Sequence, residues 1–278
     1  MIKGGQSYAT KRKKIGVIGG GAMGEALAGG LIRTGLVEPA LVYISDVSAE
    51  RREQLQEKIG VNTSADNCAV VKQADIIIIA VKPHVTPPVW QEIAAVAGPR
   101  QVFISIAAGV TISRIESYLS GPIPVVRVMP NTPALVGEGA SAVSPGSYAG
   151  KESIEAAMAI FNALGRAVHM PESLLDCVTG LSGSGPAYMY LILESLIDGA
   201  VRLGLPHNTA RELAAQTMLG AAKMILETTD HPAKLKNMVT TPGGTTAAGL
   251  FALEEGRLRP VLMKAVAEAA RRSREMSG

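Results

Sequence analysis

Aromatic residues are scarce in this chain: three Phe, one Trp and six Tyr make up only 4% of 278 residues. Apolar residues reach 47% even so, so the interior must be filled by Ala, Val, Ile and Leu. That balance suits α/β and helical layers better than an all-β fold. Cysteine is equally thin. Cys68 and Cys177 do not make a disulfide framework, and their apolar or helical surroundings predict buried free thiols in a reducing compartment, the cytoplasm. The four histidines, His84, His169, His207 and His231, lack metal-ligand spacing, so no metal site is expected; His207 and His231 adjoin Pro-marked turns and read as surface or capping residues. Long hydrophobic runs are missing too. The stretch from Tyr188 to Leu193 is apolar, but Glu194 and Asp198 interrupt it, well short of the roughly 20 residues of a membrane span. The basic run Lys11-Arg12-Lys13-Lys14 is followed by no apolar h-region, so residues 1–13 read as a flexible extension rather than a signal peptide. The formal charge is only +3. Neither that run nor Arg271, Arg272 and Arg274 near the other end has aromatic or Gly-rich platforms beside it. Both read as solvated termini, with neither nucleic acid nor membrane as a partner.

What is present alternates. Ile15 to Ile18 is a short β-branched run; glycines follow, then helical spacing of Ala26, Leu27, Gly30 and Leu31. This is strand, tight turn, helix. Further strands are expected at Leu41 to Ser45, Ile76 to Val81, Val102 to Ile106 and Val125 to Val128, with a polar helix from Ser48 to Ile59 that stops at Gly60. Continuous apolarity in these runs indicates strands buried on both faces, as in a parallel sheet. The expected fold class is α/β: an N-terminal Rossmann-type doubly wound sheet over residues 14–171. From residue 172 to 278 the strand signal is gone. Helices are expected from Pro186 to Leu203, from Asn208 or Thr209 as cap to about Thr228, after His231-Pro232, from Thr245 and from Pro260. The helix from Ala187 to Leu203 is apolar nearly all round and must be buried on several sides. A unit of about a hundred residues has little interior to hide it, which predicts packing against a second copy.

Two glycine clusters carry the chemistry. Gly19-x-Gly21-x-x-Gly24 follows a strand and opens a helix. There Gly19 permits the turn, Gly21 lets a pyrophosphate approach, and Gly24 lets helix and strand pack. The N–H groups at the helix start bind phosphate. The candidate dinucleotide contacts at this turn are Ile18, Gly19, Gly20, Gly21, Ala22 and Met23. Asp46, about twenty residues on, is placed to read a ribose 2′-hydroxyl, which favours NADH; Ser48, Arg51 and Arg52 could instead accommodate a 2′-phosphate, and otherwise read as a solvated helix face. Ala80, Val81, Lys82 and Pro83, then Ile106, Ala107 and Ala108, fall at the C-terminal ends of strands, where open α/β sheets bind ligands. The second cluster, Val239 to Thr246, reads VTTPGGTT. Its glycines free several N–H groups to point at one anion, and hydroxyls gather there: Thr240, Thr241, Thr245 and Thr246, with Ser182 and Ser184 from another turn. A substrate carboxylate fits; helix capping by Ser and Thr is the plainer alternative.

GLSGSGPAY from Gly180 to Tyr188, HPAKLK from His231 to Lys236 and VTTPGGTT are joined by AVKPH at Ala80–His84, SIAAGVT at Ser105–Thr111 and MPNTP at Met129–Pro133. Together these motifs closely resemble the Δ1-pyrroline-5-carboxylate reductase family, over the span from about Ile15 to the C-terminus. The resemblance implies reduction of the cyclic imine of pyrroline-5-carboxylate to L-proline by NADPH or NADH, the last step of proline synthesis. It also implies a Rossmann domain, a helical domain that interlocks two subunits into a homodimer, and in some members a decamer. By motif, Thr246 would be the catalytic hydroxyl next to the imine nitrogen. Thr241, Gly244 and Thr245 would hold the carboxylate, Glu172 would lie near the ring with Ser184 in the same substrate set, and Asn67, Lys82 and Ala108 would touch the cofactor. Met238 stands where some members have Asn, and Asp46 where relatives have Ser or Thr.

Two rivals share parts of this pattern. A β-hydroxyacid dehydrogenase has a Gly-x-Gly-x-Met-Gly start and a helical second domain, but needs a Lys on the helix after its second Gly-rich segment. The helix from Pro186 to Leu203 has none. A non-catalytic NAD(P)-sensing protein on the same fold would differ by lack of turnover.

Overall fold

The computed structural model describes residues 13–277; most of the basic start expected as an extension lies outside the described residues. They form two compact units, the first running to Ser184 and regaining the chain from Glu268, the second spanning Gly185–Ala267.

In the first unit the elements alternate as β1 (Ile15–Ile18), α1 (Ala22–Arg33), β2 (Val42–Ser45), α2 (Ala49–Ile59), β3 (Asn62–Ser64), α3 (Asn67–Gln73), β4 (Ile76–Ile79), α4 (Thr86–Ile93), β5 (Val102–Ser105), α5 (Ile112–Glu116) and β6 (Val125–Met129). Then come β7 (Gly139–Pro145), α6 (Lys151–Asn162), β8 (Gly165–His169), α7 (Leu175–Val178) and a π-helical turn at Thr179–Gly183. The eight strands line up as β3-β2-β1-β4-β5-β6-β7-β8. All neighbours are parallel except β6 and β7.

The run Ile76–Ile79 shows why continuous apolarity marks such a strand. Side chains alternate across a strand. Ile76 and Ile78 join Leu27 and Leu31 of α1, Leu55 of α2 and Ile160 and Phe161 of α6 on one face. Ile77 and Ile79 join Val70 and Val71 of α3 and Val89, Trp90 and Ile93 of α4 on the other. Helices therefore cover both faces, as the doubly wound class requires.

Three strands went unseen in the sequence. β3 is three polar residues, β8 is a largely exposed edge, and β7 is Gly-Ala-Ser-Ala-Val-Ser-Pro. Only a 3-10 turn, Thr132–Val136, separates β6 from β7. That is too short for a parallel crossover, so β7 returns antiparallel. β4 and β5 also stop earlier than expected, at Ile79 and Ser105, where the chain turns towards the ligand edge.

The second unit is all-helical: α8 (Gly185–Arg202), α9 (His207–Thr228), α10 (Pro232–Met238), α11 (Thr245–Glu255) and the beginning of α12 (Leu258–Ser277). Gly204, with φ +97°, ends α8 through a conformation that side chains disfavour. The cap of α9 falls two residues ahead of the expected Asn208 and three ahead of Thr209. Pro206 occupies the cap position with no side-chain bond. α12 begins at Leu258, two residues before Pro260, since proline is tolerated in a first helical turn. His231 does cap α10, its Nδ1 accepting from Ala233 N at 3.2 Å.

Candidate functional site

Strand register builds the first half-site. Ile18 pairs with Ser45 on one side and with Ile79 on the other, and Ile79 pairs with Ser105. The four strands thus end level, and the segments that follow them share one edge of the sheet. The chain turns from β1 to β2 on one side and, after β3, to β4 on the other. This edge is the switch point at which open α/β sheets bind ligands.

The glycine turn lies across it. Gly19 has φ +102°, and a Cβ there would stand 2.9 Å from Val81 Cγ1 and 3.0 Å from the Ala80 carbonyl. A Cβ on Gly24 would fall 2.0 Å from the Gly19 carbonyl, so only glycine lets α1 approach the turn. Gly21 is different: a Cβ there would meet nothing within 4 Å. No protein neighbour demands that glycine, and Gly21 and Ala22 are exposed at the N-terminus of α1, with Ile18, Gly20 and Met23 flanking them. The first N–H groups of a helix have no intrahelical partner. An open glycine, outward N–H groups and a positive helix end fit the pyrophosphate of a dinucleotide.

Asp46 fixes the neighbouring turn. Its Oδ2 accepts from Gly20 N and its Oδ1 from Ser48 N, each at 2.9 Å. A carboxylate has about four acceptor positions, so capacity for a ribose hydroxyl remains. Ser48 caps α2, its hydroxyl accepting from Arg51 N at 3.2 Å. Arg51 and Arg52 are not the solvated face that their sequence context allowed. Arg51 Nε donates to the Gly20 carbonyl at 2.6 Å and its guanidinium pairs with Glu25, while Arg52 donates to the carbonyls of Asp46 and Val47 at 2.8 and 3.2 Å. Glu25 also pairs with Lys58 at 2.6 Å. Hydrogen bonds from Lys58 and Arg51 hold its carboxyl below the ordinary 4.5.

Asn67, at the start of α3, accepts from the buried Ser45 hydroxyl at 2.6 Å and donates to Glu92 at 2.8 Å. Ala80 donates to the Ile18 carbonyl at 2.8 Å and Ile106 to that of Ile79 at 3.3 Å, which pins both segments to the edge. Lys82 is exposed at the head of the 3-10 turn Pro83–Val85. Ala107 is buried, with Ala108 less so. Asp66, Cys68 and Glu92 bring ligand atoms within 4.8 Å of one another. Each is engaged elsewhere: Asp66 caps Ala69 N, the Cys68 thiol donates to the Glu92 carbonyl, and Glu92 holds Asn67. Burial is the main cause that pushes the Cys68 thiol up. Cys177 is exposed rather than buried; on the one-turn α7 only Leu175 turns into the core.

The expected substrate residues divide between the units. In the first, Glu172 opens a 3-10 turn after β8, and its Oε1 accepts from Arg127 NH1 and from Ile112 N, each at 2.7 Å. Arg127 is 6% exposed, a charged side chain inside a central strand that remains tolerable through this pairing. Ser184 ends the π-helical turn, its N–H bonded to the Thr179 carbonyl at 2.8 Å. Ser182 donates its hydroxyl to Val178 at 3.2 Å and its carbonyl accepts from the buried Asn131 at 3.0 Å. Arg127 escaped the sequence reading, and Asn131 entered it only as part of the MPNTP motif, with no role given. The signal for the first was a lone Arg inside the apolar run of β6.

In the second unit, Thr241 to Gly244 is a β-turn closed by Gly244 N to the Thr241 carbonyl at 3.0 Å. Pro242 and Gly243, the latter at φ +70°, are the central residues of a type II turn. Gly244 then occupies the N-cap position of α11 with no capping side chain. A Cβ on it would stand 2.3 Å from Thr241 Oγ1. Thr240 spends its hydroxyl on the Lys236 carbonyl at 2.7 Å. The hydroxyls of Thr241, Thr245 and Thr246 bond to no acceptor among the described residues. Three hydroxyls and the first N–H groups of α11 thus lie within one short segment, and helix starts of this kind suit anions. Met238, exposed at the end of α10, adds no polar group.

A glycine turn at the switch point of a doubly wound sheet, followed by an all-helical unit, points to a class: the dinucleotide-dependent oxidoreductases. The comparisons narrow it. A family model described as NADP oxidoreductase coenzyme F420-dependent matches residues 14–109, and one described as pyrroline-5-carboxylate reductase dimerisation matches residues 172–276. The pyrroline-5-carboxylate reductase of Methanosarcina acetivorans is 48% identical over 266 residues, covering 96% of this chain and 98% of that protein. The one of Arabidopsis thaliana is 43% identical, covering 95% of each. Among solved structures, a pyrroline-5-carboxylate reductase from Coxiella burnetii matches with a TM-score of 0.90 at 38% identity, covering 96% of this chain and 99% of that one. A Plasmodium falciparum pyrroline carboxylate reductase with NADP bound matches at 0.87 and 32%, covering 97% and 100%. The chain belongs to the pyrroline-5-carboxylate reductase family. The dimerisation match starts at residue 172, whereas the compact units divide after Ser184; ancestry and packing draw different lines.

Proposed function

We propose that this chain reduces the cyclic imine of Δ1-pyrroline-5-carboxylate to L-proline, the last step of proline biosynthesis. The observation that carries this reading is identity of 48% to such a reductase along 96% of the chain. The first unit holds NADH or NADPH: N–H groups of the turn from Gly19 to Met23 take the pyrophosphate, Asp46 and Ser48 flank the ribose, and Asn67, Ala80–Pro83 and Ile106–Ala108 bound the rest. Bound NAD(P)H supplies the hydride. The N–H groups of Gly244 and Thr245, with the Thr241 hydroxyl, clamp the substrate carboxylate. Thr246 places its hydroxyl beside the imine nitrogen; in the first unit, Glu172 and Ser184 are the residues that the family motifs assign to substrate. The carbon of a protonated imine is already electrophilic. The chain therefore has to supply proximity and orientation rather than strong acid–base catalysis. A hydroxyl and an anion clamp suffice, which accounts for a substrate set without Lys or His.

The functional division falls at 14–171 for nucleotide and 172–278 for substrate and association. The minimal assembly is a homodimer through the second unit, and five dimers can build a decamer. α8 and α9 form an apolar groove of about 480 Å³, lined by Leu196, Ala200, Leu213 and Met218 among others, and the second copy is its occupant. Free Cys68 and Cys177 suit a reducing cytoplasm. No helix among the described residues is long and apolar enough to cross a membrane. The test is NADH or NADPH oxidation dependent on pyrroline-5-carboxylate, with L-proline identified as product. Stoichiometric proline supports the reading; folded protein that forms none overturns it.

A further inference from the structure

We propose that Glu25 is a coenzyme-specificity residue: by holding the Arg51 guanidinium it keeps that cation from a ribose 2′-phosphate, and so favours NADH. This deepens the nucleotide half of the proposed function and is independent of the substrate half.

Asp46 and Arg51 share one glycine. Gly20 N donates to Asp46 Oδ2 at 2.9 Å, and the Gly20 carbonyl accepts from Arg51 Nε at 2.6 Å. One residue of the glycine turn therefore anchors both the Arg51 guanidinium and the carboxylate proposed to read the ribose. An Arg so placed is what accommodates a 2′-phosphate in dinucleotide sites of this kind. Here three of its five N–H donors are engaged, and every nitrogen has a partner: Nε on Gly20, NH2 on Glu25, and NH1 on Gln54 Oε1 at 3.2 Å. The Arg51 and Glu25 side chains are 25% and 20% exposed, shielded enough for the pair to matter. Lys58 lies on the other Glu25 oxygen at 2.6 Å, and with Arg51 it keeps the carboxyl below its ordinary range and hence ionised. Around the turn the anions are Asp46, Glu25 and Glu50, and the cations Arg51, Arg52 and Lys58. Arg52 is drawn onto the Asp46 and Val47 carbonyls. One carboxylate repels a 2′-phosphate directly; the second removes the best-placed cation.

The test measures binding of adenosine 2′,5′-bisphosphate and of 5′-AMP to the full chain by calorimetry, with no substrate present, so it stands apart from any failure to turn over pyrroline-5-carboxylate. Glu25→Gln should tighten the bisphosphate about fivefold relative to 5′-AMP, the size of one partly exposed ion pair. Adding Arg51→Ala should abolish that gain. Arg51→Ala alone should leave the ratio of the two affinities unmoved, and Asp46→Ser should raise it through a separate route. An unchanged ratio in Glu25→Gln, a gain that survives Arg51→Ala, or a ratio that falls in Arg51→Ala alone would each overturn the assignment. Equal weakening of both nucleotides in Glu25→Gln would overturn it as well, since Glu25 would then serve only to shape the glycine turn.

Discussion

Ile76–Ile79 and the helix α8 are both apolar runs, and they fare differently. Every side chain of the first is 2% exposed or less, shared between helices on two faces of the sheet. In the second, Leu191 is 64% exposed, and elsewhere in its unit Phe251 and Met263 are 69% and 68% exposed. Hydrophobicity demands burial but does not say by what. A doubly wound sheet supplies its own two layers. A few helices alone cannot, and exposed apolar surface on that scale marks an interaction face. The strand Ile76–Ile79 is thus covered within one chain, whereas the second unit leaves apolar residues exposed, which is why the proposed function places a second copy against it. The proposed chemistry divides in the same way, with the nucleotide residues held in a sheet register and the carboxylate residues on a helix start.

The sharpest way to break this contrast is to charge the open face. Leu191→Asp with Leu196→Asp should weaken association by on the order of 4 kcal/mol, because carboxylates would be trapped in an apolar interface. Ultracentrifugation should show dissociation and the assay lost activity, while nucleotide binding persists. The reverse experiment strikes the first unit. Gly24→Ala forces a Cβ to within 2.0 Å of the Gly19 carbonyl, which should cost on the order of 3 kcal/mol, seen as a lower Tm together with lost nucleotide affinity. Thr246→Ala separates the two half-sites. Loss of one hydrogen bond in a water-poor site should lower kcat/KM for pyrroline-5-carboxylate by on the order of 1–3 kcal/mol, with NADH affinity nearly unchanged and Thr246→Ser retaining much of the activity. Equal damage to nucleotide binding would leave Thr246 as a helix cap. The smallest effect lies in the Glu25 pairs. Folding lowers this carboxyl from 4.5, so its contribution is full above that pH and fades as pH falls through the lowered native value. Acid unfolding followed from pH 6 to 2 should show Glu25→Gln losing under about 1 kcal/mol of stability at the upper end and converging with the parent at the lower.

The same contrast explains what could be read beforehand. β1, its glycine turn, β4, the Ser48 and Gly60 boundaries of α2 and the His231 cap depend on neighbours in sequence or on unbroken apolarity, and both are visible in a string of letters. β3, β7 and β8 are edge or near-edge strands of polar and small residues, held by partners far along the chain. Arg127 finds Glu172 across 45 positions and Arg51 finds Glu25 across 26, distances at which no local pattern operates. Cys177 was expected to be buried from its apolar or helical surroundings; the helix that carries it, Leu175–Val178, is one turn long and buries only Leu175. At the substrate loop, Thr241, Gly244, Thr245 and Thr246 were legible as a motif, and the turn that brings them together follows from Pro242 and Gly243 locally.

Self-completion of one unit and dependence of the other on a second copy is tested most directly by the solution mass of the full chain at micromolar concentration, measured by multi-angle light scattering. Twice the chain mass, or an even multiple of it, is the predicted result. A stable monomer with Leu191, Phe251 and Met263 left in water would contradict the account.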